Sequence, residues 1–130
     1  MAHKKIQRTA KAVLNALECP EGELSILIVD DAQIARINKT YLGRSGPTNV
    51  IAFPMTEGQF GDINPNLLGD VVISIDTAAR EARDDCVSLE SRFDQLLIHG
   101  ILHLFGFDHE KSSQQAEEMT VKEEQLLAML

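Results

Sequence analysis

Three of the chain's four histidines fall in one short stretch, "HGILHLFGFDH", from His99 to His109. Their spacing carries chemistry. His99 and His103 are four apart, so on a helix their side chains lie one turn apart on a single face. Two imidazoles placed in that way can share one metal ion at roughly 2.0–2.1 Å each. Gly106 stands where a helix bearing them should end, since a left-handed residue there turns the chain back without a Cβ clash. Three residues on, His109 can return to the same ion from a loop. A lone histidine on an apolar helix is usually a satisfied core residue; three at this spacing argue for a metal seat. Structural zinc sites are closed by four ligands and rich in cysteine, whereas three histidines leave a position for water, which is the catalytic arrangement. Zinc suits three neutral imidazoles, one ion per chain, although nickel or copper would accept the same donors.

The frame His-x-x-x-His-x-x-Gly-x-x-His is also that of zinc peptidases, which keep a glutamate after the first histidine to pass protons to and from the bound water. Here that position is Gly100. Glycine cannot move a proton, so peptide hydrolysis is not expected. Asp108 and Glu110 could reach the seat from the loop, with a turn or ligand-supporting role for Asp108 at least as well founded as a catalytic one.

The flanking sequence supplies the elements that must hold these residues. Residues 88–106 read as a buried helix, with Ser88 as N-cap and an apolar stripe through Phe93, Leu96, Leu97, Ile101 and Leu104. Upstream, 6–18 is an amphipathic helix with Ile6, Ala10, Val13, Leu14 and Leu17 on one face. Residues 24–30, 49–54 and 67–76 are β-branched, apolar strands, the second ended or placed at a sheet edge by Pro54. Asp30 or Asp31 caps a short helix through Tyr41, with Ile34 and Ile37 inward. Residues 42–48 form a Gly, Ser and Pro turn, 55–66 a polar loop bordering the site, and 77–85 a short helix. A capping box at Ser112 and Gln115 opens a helix to the C-terminus. Helices outnumber strands without regular interleaving, so the fold class is α+β, a small mixed sheet packed with helices.

Composition bounds the function. A chain of 130 residues, 44% hydrophobic and 25% charged, fits one globular domain over residues 1–130. No run approaches the ~18 apolar residues of a membrane span, and the N-terminus has no signal-peptide pattern, so a cytoplasmic protein without a membrane partner is expected. Cys19 and Cys86 have neither paired spacing nor a metal motif and read as free thiols. The net charge is −8, and it is uneven: residues 1–50 carry seven Lys and Arg against five Asp and Glu, residues 51–130 five against fifteen. That balance argues against non-specific nucleic-acid binding, and no DNA partner is expected. Any nucleic-acid contact must use the basic residues of the first half, Lys4, Lys5, Arg8, Lys11, Arg36, Lys39 and Arg44.

The segment "HGILHLFGFDHE" closely resembles the signature of the YbeY family of bacterial endoribonucleases, which act as rRNA maturation factors. "GPTNVIAFP" (46–54) and "LLGDVVIS" (67–74) are similar to the family's neighbouring segments, and the likeness runs in order from Leu24 to the C-terminus. The resemblance implies a zincin-like fold, zinc on His99, His103 and His109, and cleavage of single-stranded RNA. It also implies work in the maturation of ribosomal RNA, at the 16S 3′ end, and in ribosome quality control, with the ribosome or its proteins as partners. Two departures stand out. The family has a short strand before its first helix, whereas this chain starts almost directly with a helix, so a sheet smaller by one strand is expected. The family also carries a functional Arg after the Tyr of the segment matching "YLGRSGPTN"; Leu42 stands there, and Arg44 becomes the candidate phosphate contact. Two other readings stand beside RNA cleavage. One is a zinc hydrolase acting on a small amide or ester. The other is a ribosome-assembly factor without catalysis, which the acidic charge and Leu42 favour.

Overall fold

A computed structural model of the chain describes residues 3–55, 66–108, 110 and 112–130. Its elements are α1 (His3–Ala16), β1 (Glu23–Val29), α2 (Asp31–Leu42), β2 (Val50–Pro54), β3 (Leu67–Ser74), α3 (Ile75–Asp84), α4 (Leu89–Leu104) and α5 (Ser113–Met129). The α+β class is therefore met, with a mixed three-stranded sheet in the order β1-β3-β2. β1 runs parallel to β3 and β2 antiparallel to it.

β3 is central because it is apolar on both faces. Alternate residues of a strand point to opposite sides, and here Val71 and Ile73 enter one core while Val72 enters a second. The larger core joins the buried residues of α1, α4 and α5, with Phe93, Leu97 and Ile101 of α4 at its centre. The smaller core places Ile34 of α2 on Ile51 and Val72. The expected face of α4 is buried throughout, and that of α1 is buried at Ile6, Ala10, Val13 and Leu14, with Leu17 partly buried beyond the helix end. The β1–β3 register shifts where Glu23 pairs Leu67 and Leu24 pairs Gly69, leaving Leu68 as the extra residue of a bulge.

Local chemistry sets most boundaries. Asp30 caps α2 through a full capping box with Gln33. Ser88 caps α4 by accepting from the Ser91 N–H at 3.0 Å, and Ser112 caps α5 by accepting from Gln115 N–H at 3.1 Å. The strand expected to run to Asp76 instead stops at Ser74. The Ser74 hydroxyl accepts from the Thr77 N–H and opens α3 at Ile75, so the apolar run continues across a strand-to-helix switch. α1 starts at His3, before its first apolar residue, and ends at Ala16 rather than 18, with Glu18 in the left-handed region. Of the polar loop expected over 55–66, residues 56–65 lie outside the described residues.

Candidate metal centre and cleft

α4 supplies the two central imidazoles. His99 Nε2 and His103 Nε2 face one another 3.2 Å apart, with ring centroids at 4.7 Å. Two nitrogens bound to one tetrahedral zinc at 2.0–2.1 Å are separated by about 3.3 Å. The pair therefore fits a shared zinc ion. The other nitrogen of His99, Nδ1, lies 2.5 Å from Glu123 Oε1 on α5. A histidine metal ligand is commonly held by a carboxylate in this way.

The reason for Gly100 lies between these histidines. A Cβ at position 100 would stand 2.6 Å from Val71 Cγ1 and 3.3 Å from Val50 Cγ2. The missing side chain lets α4 lie directly on β2 and β3, which carries His99 and His103 to the edge of the sheet. A glutamate would have no room. Gly100 is a packing residue of the site, and a side chain at this position is opposed for a steric reason.

α4 then ends in a Schellman motif. The Phe107 N–H donates to Leu102 O at 3.1 Å, and the Gly106 N–H donates to His103 O at 3.0 Å. Gly106 adopts φ +93°, as expected of the residue that reverses the chain. The reversal returns Asp108 and Glu110 to the site, where both line the cleft. Asp108 Oδ1 accepts from the Glu110 N–H at 2.8 Å, which gives Asp108 a turn-forming role. His109, the third expected ligand, lies outside the described residues. Among the described residues no group of three or more His, Cys, Asp or Glu is placed to hold a metal.

The cleft has a volume of about 640 Å³. One wall is α4 with His99, Gly100 and His103; the other is the edge strand β2 together with the turn 44–49 and the end of α2. Arg44 lines this same cleft. The turn bearing it is fixed from beneath. Gly43 ends α2 at φ +66°, and the buried Asn38 donates from Nδ2 to Gly46 O at 3.0 Å. The Arg44 N–H donates to Asn38 O at 3.3 Å. Behind the cleft wall, Glu81 of α3 accepts from Asn49 Nδ2 at 3.3 Å and from Arg92 of α4 at 2.9 and 3.0 Å. That carboxylate ties the start of β2 to α4, the helix that bears His99 and His103.

The structure thus brings Arg44, His99 and His103 into one cleft. Sequence reading passes over Asn38 and Glu123, the supports of the turn and of the first imidazole. Glu123 does leave a trace: it stands four residues after Met119 and three before Leu126, the buried residues of α5, so a charge sits in that helix's apolar seam.

Comparison with known proteins finds relatives along nearly the whole chain. The family model described as Endoribonuclease YbeY matches residues 1–130. The chain is 48% identical to the Endoribonuclease YbeY of Geobacter sulfurreducens over 128 residues, covering 98% of this chain and 85% of that protein. With that of Geobacter metallireducens the identity is 50% over 127 residues, covering 97% and 85%. With that of Aquifex aeolicus it is 44% over 126 residues, covering 97% and 82%. Among solved structures, the solution structure of TM1509 from Thermotoga maritima superposes with a TM-score of 0.66 at 24% identity, covering 98% of this chain and 82% of that one. At that identity the likeness shows a shared fold.

Proposed function

Because the chain belongs to the YbeY family of endoribonucleases, we propose that it is a zinc-dependent enzyme cleaving phosphodiester bonds of single-stranded RNA. Its work would be the maturation of ribosomal RNA at the 16S 3′ end, with a part in ribosome quality control, in the cytoplasm and in contact with the ribosome. Residues 1–130 act as one domain of zincin-like architecture. The observation that carries the reading is the pair of Nε2 atoms 3.2 Å apart in a cleft that Arg44 also lines.

His99, His103 and His109 would hold one zinc ion, His109 following Asp108 and preceding Glu110, which both line the cleft. Zinc in such a seat supplies Lewis acidity, lowering the pKa of a bound water to about 7 or polarising a phosphoryl oxygen. The remaining work belongs to the chain. Arg44 offers its guanidinium fork to phosphate oxygens, offsetting charge that grows as the phosphorus becomes five-coordinate. The turn 43–49 needs no reorganisation to do so, since Asn38 already holds it. The cleft is open between β2 and α4 and accepts an extended strand. The position at which a zinc peptidase keeps its base is Gly100 here, which fits a reaction whose leaving group is a sugar oxygen rather than an amine.

The test joins metal analysis to RNA cleavage. Purified protein should hold about one zinc per chain and cleave single-stranded RNA, and His103→Ala should lose both. The ends of the products distinguish attack by water, which leaves a plain monoester, from attack by the 2′-hydroxyl, which leaves a cyclic phosphate. Cleavage that survives His103→Ala or thorough chelation would overturn the reading.

A further inference from the structure

The C-terminal helix carries no metal ligand in the motif, yet one of its carboxylates touches the site. Glu123 Oε1 lies 2.5 Å from His99 Nδ1, with side-chain exposures of 26% and 28%. A carboxylate only accepts, so the contact requires the proton on Nδ1. In the neutral ring Nε2 is then the lone-pair nitrogen, and Nε2 is the atom that faces His103. α5 is otherwise seated by the buried Met119 and Leu126, with Leu127 partly buried beside them, and Glu123 lies on the same face between Met119 and Leu126. A leucine would pack better in that seam, because setting a carboxylate among apolar groups costs free energy that a partner must offset.

We propose that Glu123 is a positioning residue: it fixes the tautomer and orientation of His99 and thereby couples metal affinity to the docking of α5. The proposal rests on the zinc reading above. The coupling is reciprocal, so whatever α5 docking adds to zinc binding, zinc adds to α5 docking. The alternative is an ion pair that merely fastens the helix.

Two variants separate the two. Glu123→Leu keeps or improves packing but removes the acceptor; Glu123→Gln keeps the shape and a weaker acceptor. Zinc ion titrated against a competing chelator should bind Glu123→Leu about 10- to 100-fold more weakly than wild type. Glu123→Gln should fall between them, and the exposed neighbour variant Glu124→Gln should match wild type. In the zinc-free proteins, imidazole ¹⁵N spectra should show His99 as the Nδ1–H tautomer in wild type and as a mixture in Glu123→Leu. Hydrogen exchange should show zinc protecting α5 amides in wild type but not in Glu123→Leu. A folded Glu123→Leu with wild-type zinc affinity, or an unchanged His99 tautomer in it, overturns the proposal. Should Glu123→Leu fail to fold, Glu123→Gln decides by the same affinity and the same spectrum. A wild type that binds no zinc while showing the Nδ1–H tautomer removes the metal reading and the coupling with it, a result distinct from Glu123 alone being wrong.

Discussion

Arg44 takes its significance from position. A guanidinium in a turn is ordinarily solvated, but this one shares a cleft with His99 and His103, and the turn is locked onto α2 by Asn38. Arg44→Ala should lower RNA cleavage roughly tenfold to a hundredfold while leaving zinc content unchanged, measured by single-turnover cleavage beside metal analysis. Arg44→Lys should give an intermediate rate, since an ammonium keeps the charge and loses the fork. The variant's dependence on salt should also be shallower, with one phosphate contact fewer. An Arg44→Ala protein equal to wild type in rate and salt slope would return this residue to the solvated surface. Leu42 lines the same cleft and gives its wall an apolar side chain near Arg44.

At the scale of elements, the approach of α4 to the sheet and the tie between α2 and α3 make separate predictions. Gly100→Ala should destabilise the fold by about 1–3 kcal/mol, as read by denaturant unfolding, because the added methyl meets the Val71 side chain. Gly100→Glu should cost more and yield no peptidase; a well-folded proteolytic variant would show that the glutamate was the missing part. Asp31 at the start of α2 accepts from the Ser74 and Thr77 hydroxyls at 2.6 Å and from Arg80 at 2.8 Å. The Ser74 hydroxyl first, then Thr77 and Arg80, hold its carboxyl down at about 2. An unfolded chain therefore takes up this proton first as pH falls. The stability Asp31 contributes is complete above about pH 5 and is lost as pH drops through 4 toward 2. Burial pushes Asp94 of α4 the opposite way, so the acid limb is best read as a difference between proteins. Asp31→Asn should flatten that limb between about pH 5 and 2 while leaving zinc affinity unchanged. An acid limb identical to wild type would mean that the network does not survive in solution.

For the whole molecule, His99 and His103 belong to a single helix and their supports to its neighbours, so zinc bound under the proposed reading would stabilise a folded arrangement absent from the unfolded chain. Zinc at a hundredfold excess over its Kd should add about 2.7 kcal/mol, seen as a raised thermal midpoint. His103→Ala should lose that increment. A wild-type midpoint indifferent to zinc would exclude a tight native seat. No helix among the described residues is long and apolar enough to cross a membrane. The sheet has three strands among the described residues.

The sequence by itself determined what short-range geometry governs. The shared face of His99 and His103 follows from a four-residue spacing on a helix. Gly106 as the reversing residue and Ser88 and Ser112 as caps follow from orphan backbone groups one turn away. The buried faces of α1 and α4 follow from periodicity. Its reading failed first at Ser74, where an apolar run crosses a boundary that one hydroxyl sets. The tertiary structure decided everything that depends on distant chain segments meeting. It placed β3 between β1 and β2, and it set the Arg44 turn across from α4. It also revealed why position 100 is glycine, through Val71 some thirty residues away, and which carboxylate supports His99, from a helix twenty-four residues on. Such contacts are selected by packing of whole elements against each other, and no local pattern encodes which partner an exposed-looking glutamate or an empty Cβ position will find.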